Sequence, residues 1–358
     1  MRVLQLIDSL NPGGAERMAV NYANSLSKSI EYSGIVVSRT EGKLKNKVTN
    51  LNDYFFLNKK HTFDIRSILL FKKIIKDNKI DVIHSHGTSF FLAFLVKLVY
   101  FKVKVVQHEH YGNRANQSFL QNIPLLFCCC FYNKILVVNY QIEKWFHKYG
   151  YKNAVFIPNF AVLEDDNTEK TILKGEIGKR IICLANLKNP KNHQVLLTAF
   201  FRSGIKNQGW SVHLVGKNYN DYYYNELVAY AKENYIYDSI HFYDLKKDIK
   251  NILSQGTIGV LCSLNEGFPV TLLEYGVTNL PVVASNVGFC PEIIKHEKTG
   301  LLFNPENVDD LVLQLKELTT KESIRENFSK NLFQKIEMNY SESIVLKQIK
   351  DIYKNLLL

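Results

Sequence analysis

Short apolar runs alternate with amphipathic stretches along almost the whole of this 358-residue chain. The runs have strand lengths and the stretches have a helical period, a pattern typical of βα units around parallel sheets. Two such series flank residues 158–176, a segment of turn residues and acids that we interpret as a linker. Since single cores rarely grow this large, we predict two α/β domains, residues 1–165 and 166–338.

Polar residues recur where the predicted strands end. Because open α/β sheets bind ligands beyond the carboxyl ends of their strands, we expect two Rossmann-like domains with a shared cleft lined by these residues. The strand-end residues are Asp8, His84, Ser85, His86, His108, Asn139, Asn186, Gly216, Lys217, Asp244, Glu266 and Ser285.

The chain is basic, with a formal charge of +11 and an isoelectric point near 9.1. That charge suits nucleic acid, an anionic membrane or phosphorylated substrates, and an AT-rich genome that favours Lys and Asn is an equal explanation. No aromatic–basic module accompanies the charge, so no nucleic-acid partner is predicted.

The six cysteines lack zinc spacing, and no trio of His84, His86 and His108 with a carboxylate has metal spacing. We therefore predict buried thiols, no metal and no cofactor.

Two aromatic-rich stretches, residues 90–99 and 119–131, lie near Lys97, Lys102, Lys104 and Arg114. They fit either a membrane-facing surface or large apolar core helices. Neither is long enough to span a bilayer, and the N-terminal apolar run is too short for a signal peptide. The sequence therefore predicts a cytoplasmic protein, with peripheral attachment at the inner face of the cell membrane as one option.

Residues 265–276 form the most informative stretch, between predicted strands at residues 259–262 and 281–285. Pro269 suits the first position of a helix, which leaves the amides of Phe268, Val270 and Thr271 at the helix N-terminus. Such an end binds phosphate. Glu266 and Glu274 flank it, which suits a diphosphate between two hydroxylated sugars. On spacing alone, a plain strand–turn–helix with an acid near the helix dipole is an equal interpretation.

The wider pattern favours the ligand site. Two glutamates separated by seven residues, with Gly-Phe-Pro after the first and Pro-Val-Val-Ala-Ser after the helix, resemble retaining glycosyltransferase family 4 of bacterial surface-polysaccharide type. The resemblance covers nearly the whole chain. It implies the GT-B fold, with residues 339–358 as a helix that returns to the first domain. It also implies metal-independent transfer of a sugar, with retention, from a nucleotide-sugar (UDP-sugar favoured) to a lipid-linked or oligosaccharide acceptor.

The resemblance also implies roles for individual residues. Lys191, Glu266 and His108 are the catalytic candidates, and Asn186 stands where the family usually has an arginine. Asn186 leaves open an inactive homologue that binds glycans or acts as a scaffold, and a nucleotide-sugar epimerase of similar fold is a further alternative. The predicted substrate-binding residues are Gly13, Gly14, Asn186, Gly216, Tyr243, Gly267, Phe268, Val270, Thr271 and Glu274.

Overall fold

The structure, a computed structural model, describes residues 1–163 and 170–358, and the predicted boundary between residues 165 and 166 lies outside them. The chain divides into two compact units, Met1–Phe160 with Glu342–Leu358, and Ala161–Ser341. The first unit holds strands β1 (Arg2–Ser9), β2 (Tyr32–Thr40), β3 (Tyr54–Phe56), β4 (Val82–His86), β5 (Lys104–Glu109), β6 (Lys134–Val137) and β7 (Ala154–Phe156). The second holds β8 (Arg180–Leu184), β9 (Ser211–Val215), β10 (Ile240–Tyr243), β11 (Ile258–Leu261), β12 (Val282–Ser285) and β13 (Leu301–Phe303).

Thirteen α-helices connect and cover the strands in the described residues. In chain order they are α1 (Gly14–Ser27), α2 (Ile65–Asp77), α3 (Phe90–Val99), α4 (Phe119–Cys129), α5 (Tyr140–Lys148), α6 (His193–Ser203), α7 (Tyr222–Glu233), α8 (Ile249–Ser254), α9 (Val270–Val277), α10 (Cys290–Ile293), α11 (Val308–Thr320), α12 (Glu322–Asn339) and α13 (Glu342–Leu357).

Both sheets are parallel and doubly wound. Their strand orders are β3-β2-β1-β4-β5-β6-β7 and β10-β9-β8-β11-β12-β13, so the winding direction reverses next to β1 and next to β8. The prediction of two parallel α/β sheets is confirmed. The central strands are covered on both faces, which explains their nearly continuous apolar sequences. The carboxyl ends beside these reversals are where ligands bind in such sheets.

Helix α13 completes the first unit. It buries Val345, Ile349 and Tyr353 and packs against α1. The Tyr353 hydroxyl lies 2.6 Å from Nδ1 of His84 on β4, and both side chains are fully buried. The C-terminal helix is therefore a hydrogen-bonded part of the interior of this unit.

A buried ion pair organises the loop after β5. Glu109 is fully buried, and its Oε2 accepts from Nη2 of Arg114 at 2.9 Å while its Oε1 accepts from the amide of Tyr111 at 2.8 Å. Burial raises the pKa of Glu109, and the neighbouring Arg114 opposes that shift. Arg114 thus has an internal partner, which places it in the interior of the unit rather than on the membrane-facing surface that was one of the two interpretations of this stretch.

Replacing Arg114 with methionine is expected to lower the free energy of unfolding by about 3 kcal/mol at pH 7, because Glu109 is left charged and buried. Without the guanidinium, the pKa of Glu109 in the folded state rises further. Below that pKa the carboxyl is neutral, so the loss should shrink as the pH falls from 7 to 5. Denaturant titrations at both pH values measure it, with the Glu109→Gln/Arg114→Met double variant as control. A loss independent of pH would assign the effect to packing of the arginine stem.

No helix within residues 1–163 or 170–358 is long and apolar enough to cross a membrane.

Candidate active site

The turn between β11 and α9 differs in one detail from its prediction. Pro269 is the N-cap rather than the first helical residue, and α9 begins at Val270. The Val270 amide donates to the carbonyl of Phe268 at 3.1 Å. One of the three amides expected to meet a phosphate therefore has an internal acceptor, because proline as the cap bends the chain back on itself.

Tyr275 fixes α9 to the sheet. It is fully buried, and its hydroxyl accepts from the amide of Leu184 at 2.8 Å and lies 3.1 Å from the carbonyl of Val260. A side chain at Gly259 would come within 2.8 Å of the tyrosine ring, so the strand can approach the helix only with glycine there. Helix α9 is consequently fixed against β8 and β11 through the side chain of Tyr275.

Lys191 and Glu266 form an ion pair beside this helix end. Nζ of Lys191 lies 2.6 Å from Oε1 of Glu266, and both side chains are largely buried. The same carboxylate oxygen accepts from the hydroxyl of Ser263 at 2.6 Å. Cys262 lies 3.3 Å from the Lys191 carbonyl, which holds the backbone of this loop. The sequence analysis did not predict Ser263 as a site residue. Its position three residues before Glu266, in the same loop, could have indicated a hydrogen bond to that carboxylate.

The loop after β12 closes against this turn. Gly288 has a φ of +51°, and a Cβ atom there would lie 1.7 Å from the Glu266 carbonyl oxygen. Phe289 next to it stacks on Phe268 with ring centroids 5.1 Å apart. Only glycine allows the two loops to come this close, so the position of Glu266 depends on Gly288.

The remaining predicted residues of the turn lie in or beside α9. Gly267 precedes Phe268, which is 9% exposed. The hydroxyl of Thr271, in the first turn of the helix, donates to the Leu184 carbonyl at 3.4 Å. Glu274 is only 3% exposed. The structure therefore brings Lys191, Glu266 and the start of α9 together, with Glu274 enclosed deeper in the same helix.

Asn186 has a structural partner. Its side-chain oxygen accepts from the Lys217 amide at 3.0 Å, which ties the loop after β8 to the loop after β9. Gly216 sits between these loops, where a Cβ would lie 2.2 Å from the Ala185 oxygen. The Tyr243 hydroxyl accepts from the Lys174 amide at 3.2 Å. These three predicted residues thus shape the ends of neighbouring strands.

Gly13 and Gly14 begin α1 in the first unit. Gly13 is the N-cap and Gly14 the first helical residue, and both are exposed. Glu16 lies in the first turn, and burial raises the pKa of its carboxyl. This helix end faces solvent at the carboxyl end of β1.

A cluster of four histidines lies at the carboxyl ends of β4 and β5, with His110 in the residue after β5. His108 is fully buried; its Nδ1 lies 3.2 Å from Nε2 of His84, and its ring stacks on that of His110 at 4.1 Å. His86 contacts His110 at 2.9 Å and the Gln5 oxygen at 2.8 Å. Burial lowers the pKa of all four imidazoles, so they are neutral at pH 7.

Ligand nitrogens of His84, His86 and His108 all lie within 4.8 Å of one another. Sequence spacing did not predict this grouping because it arises from two neighbouring strands. The nitrogens of His84 and His86 contact polar neighbours, so the cluster is arranged as two hydrogen-bonded chains, Tyr353–His84–His108 and Gln5–His86–His110. His110 was missed by the sequence analysis; it is partly exposed at the end of β5, whereas His108 is enclosed.

Two family profiles match consecutive parts of the chain. "Glycosyltransferase Family 4" matches residues 12–165, and "Glycosyl transferases group 1" matches residues 164–335. The chain belongs to the glycosyltransferases. An uncharacterized glycosyltransferase of Haemophilus influenzae is 25% identical over 84% of this chain and 85% of that protein.

Other relatives of this glycosyltransferase act in bacterial glycan synthesis. The amylovoran biosynthesis glycosyltransferase AmsD of Erwinia amylovora is 22% identical over 98% of this chain and 99% of that protein. The UDP-Gal:alpha-D-GlcNAc-diphosphoundecaprenol alpha-1,3-galactosyltransferase of Escherichia coli is 23% identical over 81% of this chain and 79% of that protein.

The predicted GT-B fold is confirmed by solved structures. HepE of Anabaena, in complex with UDP and glucose, matches this glycosyltransferase with a TM-score of 0.81 and 15% identity, covering 99% of this chain and 100% of that chain. At this level of identity the likeness concerns the fold.

Proposed function

We propose that this glycosyltransferase moves a sugar from a nucleotide-sugar, UDP-sugar favoured, to a hydroxyl of a lipid-linked or oligosaccharide acceptor in surface-polysaccharide synthesis. The transfer retains the anomeric configuration and uses no metal. The observation that carries the proposal is the Lys191–Glu266 pair beside the N-terminus of α9. The similar HepE was solved with UDP and glucose, and the E. coli relative takes UDP-Gal and a diphosphoundecaprenol-linked sugar.

Lys191 is the group that neutralises the leaving diphosphate. Without a ligand, its charge is balanced by Glu266 at 2.6 Å. Negative charge grows on the diphosphate as the bond to the sugar breaks, and a fixed cation stabilises it. The lysine then exchanges its carboxylate partner for phosphate oxygens. Glu266 is left as a hydrogen-bond acceptor for sugar hydroxyls, held in place by Ser263.

The other candidates complete the two substrate sites. The first unit binds the acceptor; Gly13 and Gly14 are its substrate-binding candidates and His108 is its catalytic candidate. The second unit binds the donor, and its helix-end residues Gly267, Phe268, Val270 and Thr271 serve the phosphates. Asn186, Gly216 and Tyr243 shape the nucleotide side. The enzyme works in the cytoplasm, at the inner face of the membrane that carries the acceptor.

The test is an assay of the purified protein with a panel of UDP-sugars and an undecaprenyl-diphosphate-linked sugar. The expected products are UDP and an extended lipid, with the donor's anomeric configuration by NMR and with activity unchanged by a chelator. Release of a free epimerised sugar nucleotide, or no turnover of any donor, would overturn the proposal. The second outcome would leave a glycan-binding homologue.

The two glutamates are expected to have separable effects on binding. Glu274→Ala should weaken binding of bare UDP, because we assign this carboxylate to the ribose hydroxyls. Glu266→Ala should preserve UDP binding and impair transfer, since it removes the sugar contact and releases Lys191 from its ion pair. Titration calorimetry with UDP, beside turnover assays, measures both. An equal loss of UDP affinity in the two variants would contradict this division of roles.

A further inference from the structure

Lys59 is a buried cation of the first unit whose charge has no direct partner. Only 5% of the residue is exposed, and its ammonium group forms no hydrogen bond or ion pair with any residue that the structure describes. Burial, and then the charge of Arg39, lower the pKa of Lys59, while Asp8 and Asp64 oppose that shift. A charge taken out of water is costly unless hydrogen-bond acceptors replace the water. The three ammonium donors lack such acceptors.

The backbone places Lys59 at the carboxyl edge of the sheet, three residues after β3. The chain here continues alongside β2. The amide of Leu57 donates to the Val37 carbonyl at 2.9 Å, and two residues later the amide of Lys59 donates to the Ser38 carbonyl at 2.7 Å. Lys59 is therefore fixed next to Arg39, the residue that follows Ser38 on β2.

The acids near Lys59 already accept other hydrogen bonds. Asp8, in β1, accepts from two hydroxyls, that of Thr88 at 2.7 Å. The guanidinium of Arg39 comes no closer than 4.0 Å to this carboxylate. Asp64 caps α2 and accepts from two backbone amides at 2.9 and 3.0 Å. Among the described residues, Lys59 and Arg39 are thus two neighbouring cations that donate to no carboxylate.

This edge also carries the loop that begins α1. The amide of Leu10, directly after β1, donates to the carbonyl of Thr40, the last residue of β2, at 3.0 Å. Arg39 therefore lies beside the chain that leads to Gly13 and Gly14, and its side chain is 41% exposed. The winding of the sheet reverses next to β1, where such sheets bind their ligands.

We propose that Lys59 and Arg39 bind a phosphate group of the acceptor substrate, such as the diphosphate that joins a sugar to its lipid. The planar guanidinium donates two parallel hydrogen bonds to a phosphate, and the ammonium group donates to further oxygens. An anion is favoured over a neutral hydroxyl because the two cations repel each other until a negative charge lies between them. This inference rests on the proposed function and adds the charged group by which the first unit selects its acceptor.

Titration calorimetry with inorganic pyrophosphate tests the site without turnover. Saturating UDP is present so that the proposed donor site is filled. The wild type is expected to bind pyrophosphate, and Lys59→Met to bind it about 10-fold or more weakly, because charge-assisted hydrogen bonds are lost. Lys60→Met is the matched control, since it removes an exposed lysine from the next position and should bind as the wild type does. No binding by the wild type, or an equal loss in the two variants, would overturn the site.

Thermal unfolding of Lys59→Met separates a ligand site from a structural role. Methionine keeps an apolar stem of similar length and removes a buried charge that lacks a partner. The thermal midpoint of the free protein should therefore equal or exceed that of the wild type. A clear fall in the midpoint would show that the fold itself satisfies the ammonium group, and it would overturn the proposal.

Steady-state kinetics with two acceptors connects the site to transfer. One acceptor is a sugar on a lipid diphosphate, and the other is the same sugar as an uncharged alkyl glycoside. Lys59→Met should raise KM for the charged acceptor much more than for the neutral one, and equal increases would contradict phosphate recognition. If no donor is turned over, the proposed function fails, whereas the pyrophosphate titration still decides whether Lys59 binds an anion.

Discussion

Lys191→Ala is expected to lower turnover of the donor by about 100-fold or more, comparable with the loss of one oxyanion-hole donor. The lysine is the cation that the structure places against Glu266 beside the N-terminus of α9. Its charge is needed most when the diphosphate departs, so kcat should fall more than the affinity for the donor. Steady-state UDP release, with donor binding measured by calorimetry, separates the two effects.

The control for Lys191 is Lys188→Ala, three residues earlier in the same loop. Lys188 is exposed, and removing it deletes the same charge without touching the ion pair. Its turnover should stay within a few-fold of the wild type. Thermal unfolding of both variants should be similar, which excludes misfolding. Near-normal turnover in Lys191→Ala would remove this residue from the site.

Gly288→Ala is expected to destabilise the second unit by about 3 kcal/mol or more and to abolish most activity. A Cβ at this position would lie 1.7 Å from the Glu266 carbonyl oxygen, so the two loops must separate. Left-handed backbone strain adds to the overpacking. Calorimetric unfolding and turnover of the same preparation measure both losses.

Gly204→Ala is the matched control, because it isolates the backbone strain. Gly204 is in the same unit with a φ of +69°, and a Cβ there would meet no atom of the described residues within 4 Å apart from the adjoining backbone. Gly204→Ala should lower the free energy of unfolding by only about 1–2 kcal/mol, and the variant should retain activity. If the two alanine variants were equally stable, contact with Glu266 would not limit the position of the loop.

Much of the fold was predictable because the alternation of apolar runs and helices determines parallel sheets. Within the site, Lys191 and Glu266 are 75 residues apart, and the family resemblance named both as catalytic candidates without showing that they pair. The sequence does not show which side chains form hydrogen bonds or ion pairs with one another. In the sequence, Lys97 and Arg114 look like surface charges. In the structure, Lys97 donates to the carbonyls of Phe101 and Val103, and Arg114 pairs with the buried carboxylate of Glu109. Similarly, the four histidines meet only because β4 and β5 are paired in register.

Glu342–Leu358 belongs to the same compact unit as Met1–Phe160, and Tyr353 hydrogen-bonds to His84 in its interior. During synthesis, the ribosome makes the whole second unit before it makes this helix. Until then the first 160 residues lack the side chain of Tyr353, which hydrogen-bonds to His84 of the histidine cluster. We therefore expect the nascent first unit to remain incompletely folded and sensitive to proteases while the second unit is already folding. A fragment ending near residue 160 would be a poor substitute for the native unit, and the last helix added in trans should restore its protection.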